Sequence, residues 1–257
     1  MVKPFNWKVF GIVWAAAMLS TLALLPYAND LQSRGGGSPV TPTAADWLAG
    51  GVQTAVFAGV GLLCASAVGL GLPILDGALR REPVGQKVRS MLPISILLGV
   101  AVAVLIIVLS QFVFQPLLVE DLGEQAAALT LSQTPIARWK AFLASFYGGI
   151  AEEVMLRLGV MSLLAWLGRF LFKTADNRPR LGVLWVANVL AAVYFGYGHL
   201  GTTALSVPLT PLVITWTILG NALGGVVFGW LYMKHGLESA MLSHFSADIV
   251  LHVVFQM

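Results

Sequence analysis

Apolar residues run in seven long blocks along the 257-residue chain, near Val9 to Leu25, Trp47 to Leu75, Met91 to Val119, Ala141 to Phe172, Leu181 to Leu200, Leu209 to Met233 and Ser239 to Phe255. Each comes close to the ~20 residues that a helix needs to cross a bilayer. Period-2 alternation, the mark of a transmembrane barrel, is absent. The pattern therefore predicts an all-α, polytopic transmembrane helix bundle with about seven spanning helices. Between the blocks, Asn29 to Ala45 is rich in Gly, Ser, Pro and Thr and reads as a flexible loop. Pro116 to Ile136 carries Glu120, Asp121 and Glu124 and reads as a second connection, with a short interfacial helix expected on Ala126 to Leu131. Neither connection is large enough to fold alone and no internal repeat is evident, so residues 1–257 are read as one membrane domain.

Composition agrees, since 58% of the residues are hydrophobic and 11% charged, against ~45–50% apolar content in soluble domains. Charge adds an orientation. Lys3, Lys8, Arg80, Arg81, Lys87, Arg89, Arg169, Lys173, Arg178, Arg180 and Lys234 fall on one side of the expected spans, eleven in all, while Arg34, Arg138 and Lys140 fall on the other. The bias of Lys and Arg toward cytoplasmic connections puts the N-terminus in the cytoplasm. It also accounts for the basic balance without any nucleic-acid partner. The first block is read as a retained helix rather than a cleaved signal, because Pro26-Tyr27-Ala28 makes a poor small-x-small cleavage site. Cys64 is the single cysteine, so no disulfide forms within the chain.

Against this background the fourth block carries Glu152, Glu153 and Arg157. An ionisable side chain at mid-membrane costs ~2.5–3.5 kcal/mol on insertion scales, so three together mark a functional site. Glu153 and Arg157 are i,i+4 neighbours and are expected to pair as an internal strut. Glu152 is rotated ~100° from that pair in a 3.6-residue helix and is expected to face a cavity lined by small residues, Ser145, Gly148 and Gly149 among them. In low dielectric a carboxyl tends to hold a proton, which suits a general base or acid.

The fifth block ends in Phe195-Gly196-Tyr197-Gly198-His199, with Asn188 on a similar face as a candidate to orient the histidine. The seventh carries His244 and Asp248 at i,i+4, with His252 one turn on; Asp248 is expected to serve either neighbouring histidine. His235 reads as a loop residue. Gly220, Gly224, Gly225 and Gly229 on the sixth block allow close helix approach. Glu152, His199 and His244 form a composite site open to two readings. Either the two histidines and a carboxylate ligate Zn²⁺ and activate its bound water, or Glu152 deprotonates water directly while the imidazoles and the seventh-helix polar group stabilise an oxyanion. Both hydrolyse an acyl bond. No His-Glu-x-x-His, Gly-x-Ser-x-Gly or Gly-Lys-Ser string supports a zincin, serine-hydrolase or nucleotide-driven alternative.

Glu152-Glu153-x-x-x-Arg157, Phe195-x-x-x-His199 and His244-x-x-x-Asp248, in this order and each in its own apolar block, resemble the membrane family of CAAX prenyl endopeptidases and bacteriocin-processing enzymes. The resemblance spans 140–252. It implies Glu152 as catalytic base, His199 and His244 as its partners, Glu153 and Arg157 as support, and a peptide or membrane-protein substrate, lipidated or not, met in membrane lipid. It favours a site without a metal cofactor, zinc on Glu152, His199 and His244 being the alternative. It also implies a multi-pass protein of the cell membrane, the bacterial inner membrane being expected. In the eukaryotic-type members the last motif position is Asn, thought to help hold the oxyanion, whereas this chain has Asp248. An ionised Asp donates no hydrogen bond, so such a role needs the protonated acid or action through His244.

Two other classes compete with an intramembrane endopeptidase: a non-catalytic protein that binds or sequesters peptides, as in bacteriocin immunity, and a proton-coupled transporter. Repeated halves with broken helices would favour transport, and none is evident. The spacing also sets a geometric condition. At 1.5 Å per residue His199 lies ~27 Å along its helix from Leu181, but His244 only ~8 Å from Ser239. For the two to meet, either the fifth helix begins well out in the cytoplasm or the seventh begins deep, with Lys234 to Glu238 dipping into the bundle.

Overall fold

A computed structural model describes residues 5–123 and 135–256. Among them run eight helices: α1 (Trp7–Arg34), α2 (Ala44–Val68), the short α3 (Pro73–Leu79), α4 (Gly85–Leu122), α5 (138–168), α6 (Leu181–Thr203), α7 (Pro211–His235) and α8 (237–254). α1, α2, α4, α6 and α7 are each long and apolar enough to cross a membrane. α5 holds the charge cluster and α8 is the shortest of the seven long helices, so the expected bundle stands. The short helix expected on Ala126 to Leu131 lies outside the described residues.

Local chemistry sets several boundaries. Thr43 caps α2 through a reciprocal bond with Asp46, and Gly69, in the left-handed region at φ 82°, stops it. The second span is thus shorter than its apolar block, whose tail becomes α3. Conversely, α1 continues through Pro26 to Arg34, and α4 takes in residues 116–122, both assigned to loops from the sequence. A proline inside a helix removes one backbone bond but does not end it where neighbours hold the helix on both sides. Leu19, Leu97 and Val186 point outward and are exposed, as expected where the surrounding solvent is hydrocarbon.

The depth question is decided by α8. Ser95 of α4 and Ser239 of α8 share a hydrogen bond of 2.7 Å between their hydroxyls. Ser95 is ten residues into its helix and Ser239 only two, so α8 begins ~12 Å deeper in the bundle than α4. Its buried start is plugged from below: Leu237 N–H donates to the Gly71 carbonyl at 3.0 Å, and the Glu238 carboxylate accepts from the N–H groups of Ile74 and Leu75 at 3.0 and 2.9 Å, satisfying the first turn of α3. Of the two arrangements open in the sequence, the deep start of the last helix is the one realised.

Small residues let the helices close. A Cβ on Gly225 of α7 would come within 2.7 Å of Ala192 Cβ on α6, and one on Gly149 of α5 would meet Phe245 Cβ at 2.9 Å. α5 therefore packs directly against α8, and α6 against α7, around the middle of the bundle.

Candidate active site

α5 is not a uniform α-helix. Residues Tyr147–Glu152 and Val154–Met161 wind as π-helix, with Glu153 at the junction. Ser110–Phe114 in α4 and Ile249–Val254 in α8 are π-wound as well. Wider winding of this kind is concentrated at functional sites, and here three of the four stretches supply walls of one cavity of about 480 Å³.

Glu153 and Arg157 pair as their spacing predicts, at 3.1 Å, with Glu153 0% and Arg157 1% exposed. The guanidinium also lies 5.1 Å from the ring centre of Phe195 and 5.4 Å from that of Phe228. Its charge is thus offset by one carboxylate and two π faces, while Nη1, Nη2 and the second Glu153 oxygen are buried without a hydrogen-bond partner. The carboxylate oxygen that meets Arg157 also accepts from His244 Nδ1 at 2.8 Å. The carboxylate that orients His244 is therefore Glu153 of α5. Asp248, expected in that role, lies on the other edge of the ring, 3.6 Å from Nε2.

His199 is fixed differently. Its Nδ1 lies 2.9 Å from the backbone carbonyl of Phe195, one turn earlier, and can only donate to it. Asn188, expected to orient His199, instead donates to the Val226 carbonyl at 3.0 Å and ties α6 to α7. The Phe195 ring packs edge-on against both imidazoles, 4.6 Å from His199 and 5.5 Å from His244, and Phe228 stacks on His244 at 4.6 Å. Phe195 thus fixes His199 through its carbonyl and both histidines through its ring.

With both Nδ1 atoms engaged, both Nε2 atoms face Glu152. His199 Nε2 is 3.9 Å from one of its oxygens and His244 Nε2 is 3.7 Å from the other. Glu152 lines the cavity as expected, together with Ser145, Gly148, His199, His244, Asp248 and His252. The structure brings together all seven residues named in the three motifs. His252 sits beyond them against Tyr27, ring centres 6.3 Å apart, and His235 ends α7 well away from the site. Among the described residues no group of three His, Cys, Asp or Glu side chains is placed to hold a metal ion.

Much of the cavity wall had no signal in the sequence. Tyr27 and Leu31 of α1, Val102 and Ile106 of α4, and Trp216 and Asn221 of α7 all contribute. Phe114 and Trp216 stack with ring centres 4.9 Å apart. An aromatic in an apolar helix reads as core or as lipid-facing, and only the packing shows which ones surround a polar centre.

The fold and the site together define a multi-pass membrane protein whose buried ionisable groups gather around one cavity. Residues 134–250, which contain all three motifs, match the family model described as Type II CAAX prenyl endopeptidase Rce1-like. By that description the matched part of the chain is similar to endopeptidases. No curated protein and no solved structure is significantly similar to the chain.

Proposed function

We propose that the protein hydrolyses peptide bonds inside the membrane, with Glu152 as the base that activates water. One observation carries the reading: two histidines on different helices turn their Nε2 atoms to the same carboxylate, while its neighbour Glu153 is taken by Arg157 and His244. The separations of 3.9 and 3.7 Å are too long for direct hydrogen bonds and suit a bridging water. His199, donating through Nδ1, offers the Nε2 lone pair as a second acceptor for that water. A water held by Glu152 and His199 presents its oxygen to a substrate carbonyl.

In the reaction Glu152 takes one water proton as the oxygen bonds to the carbonyl carbon. The tetrahedral oxyanion forms beside His244, which acts as an imidazolium, its Nδ1–H donated to Glu153 and its Nε2–H to the oxyanion, with Asp248 beside Nε2 supporting the charged ring. Glu152 then passes its proton to the amide nitrogen as the C–N bond breaks, releasing an amine and a carboxylic acid. Asp248 acts through His244, which spares an ionised carboxylate from having to donate a hydrogen bond. No step is routed through zinc, since the donor set does not gather three ligands about one point. The bacterial inner membrane is the setting we infer, with an apolar peptide segment as substrate.

Purified protein in detergent, incubated with a peptide library and analysed by mass spectrometry, tests this reading. Cleavage that disappears in Glu152→Gln supports it. Persistent cleavage in that variant removes Glu152 from the mechanism.

A further inference from the structure

The cavity belongs to one end of the bundle, and that end can be identified. Lys140 Nζ pairs with Asp30 at 2.7 Å, Thr210 hydrogen-bonds Asp121, and Gly35 packs on Leu205. These contacts gather the C-terminal ends of α1, α4 and α6 and the N-terminal ends of α5 and α7. At the opposite end Arg169 donates to the Ala67 carbonyl at 3.3 Å and Arg178 covers Gly69. The cavity extends from Glu152 toward the first of these ends, with Leu31, Phe114, Thr202, Val207 and Trp216 along its wall. Toward the other end it is closed by Glu153, Arg157, Leu158 and Tyr232, none more than 1% exposed.

Among the described residues the closed end is the one that carries Lys8, Arg80, Arg81, Lys87, Arg89, Arg169, Lys173, Arg178, Arg180 and Lys234. Among the described residues the cavity end has only Arg34, Arg138 and Lys140, against Asp30, Asp46, Glu120 and Asp121. Retention of basic connections in the cytoplasm makes the closed end cytoplasmic. We propose that the active-site cavity opens to the non-cytoplasmic side of the membrane and takes an apolar peptide segment presented there, either the outer flank of a membrane protein or a peptide already carried across. A lipidated C-terminus of a cytoplasmic protein meets the closed face and is not the substrate. The wall suits an uncharged, extended segment, because beyond the catalytic groups it is lined by aromatic and aliphatic side chains and by the neutral Ser145, Thr202, Thr203, Thr217 and Asn221, with no Lys or Arg among them.

The choice of substrate rests on the hydrolase reading, whereas the side of opening does not, and the test separates them. In a Cys64→Ser background, Thr202→Cys places a thiol on the cavity wall and Asp176→Cys places one in the exposed connection of the closed end. Intact cells are treated with a membrane-impermeant maleimide, before and after permeabilisation. The expected result is labelling of Thr202→Cys in intact cells and of Asp176→Cys only after permeabilisation. The reverse pattern, or labelling of both in intact cells, overturns the proposed orientation. In a second arm, sealed vesicles with the N-terminus inside receive apolar peptides externally. If Thr202→Cys labels from outside and Glu152-dependent cleavage of external peptide follows, the substrate assignment stands. If it labels but the peptide survives there while detergent-solubilised protein cleaves it, the substrate assignment fails. If neither preparation cleaves, the hydrolase reading and the substrate drawn from it fall, and the opening stands on the labelling.

Discussion

Glu153 and His244 meet across α5 and α8 at 2.8 Å, through the same carboxylate oxygen that pairs with Arg157. One fully buried acid therefore balances a guanidinium and sets the orientation of an imidazole on another helix. Removing either Glu153 or Arg157 leaves its partner's charge uncompensated in low dielectric, at a cost of ~3–5 kcal/mol. Glu153→Ala and Arg157→Ala should each lower yield and thermal stability in detergent. The double replacement should be milder than the two combined, because no lone charge is left. A double-mutant cycle measures this directly, and simple additivity would mean the pair is not coupled.

Glu152 should behave in the opposite way. It is paired with neither Arg157 nor a backbone group, and its oxygens face the cavity. Glu152→Gln keeps the volume but cannot take a proton from water, so turnover should fall by ~10²–10⁴-fold or more while the melting profile stays close to that of the parent protein. Mass-spectrometric peptide assays alongside thermal unfolding in the same detergent make the comparison.

Zinc supplies a third test. If Glu152 acts on water directly, the purified protein should carry less than one zinc per chain and keep its turnover in a chelator, and His199→Ala and His244→Ala should lose rate more than fold. One tightly held zinc per chain, together with chelator-sensitive and zinc-restorable turnover, would favour the metal mechanism and leave the hydrolase assignment intact.

Gly225 tests the helix contact behind the site. An added Cβ would lie 2.7 Å from Ala192 Cβ and 3.1 Å from Arg157 Nη2, so α6 and α7 must separate or the guanidinium must shift. Gly225→Ala should cost ~1–3 kcal/mol by overpacking. Gly182→Ala, where nothing lies within 4 Å, should leave stability unchanged. Equal melting temperatures for both variants would contradict the close approach.

The sequence by itself determined the membrane bundle, its long helices, the internal Glu153–Arg157 pair and the three motif groups. These are local properties: apolar length, i,i+4 spacing and the cost of charge in lipid act within one helix and can be read along the chain. Which partner each polar group takes was not legible. Asp248 stood at the right spacing for His244 and Asn188 on a suitable face for His199, yet Glu153 and the Phe195 carbonyl hold the two rings. Contacts between helices depend on their relative depth and rotation, and the sequence leaves both undetermined. Depth in particular was settled by the plug that Gly71 and α3 form beneath α8, which lifts His244 to the level of Glu152. The aromatic walls from α1, α4 and α7 also came only with the fold, because an aromatic residue in an apolar helix carries no mark of whether it faces lipid, core or cavity.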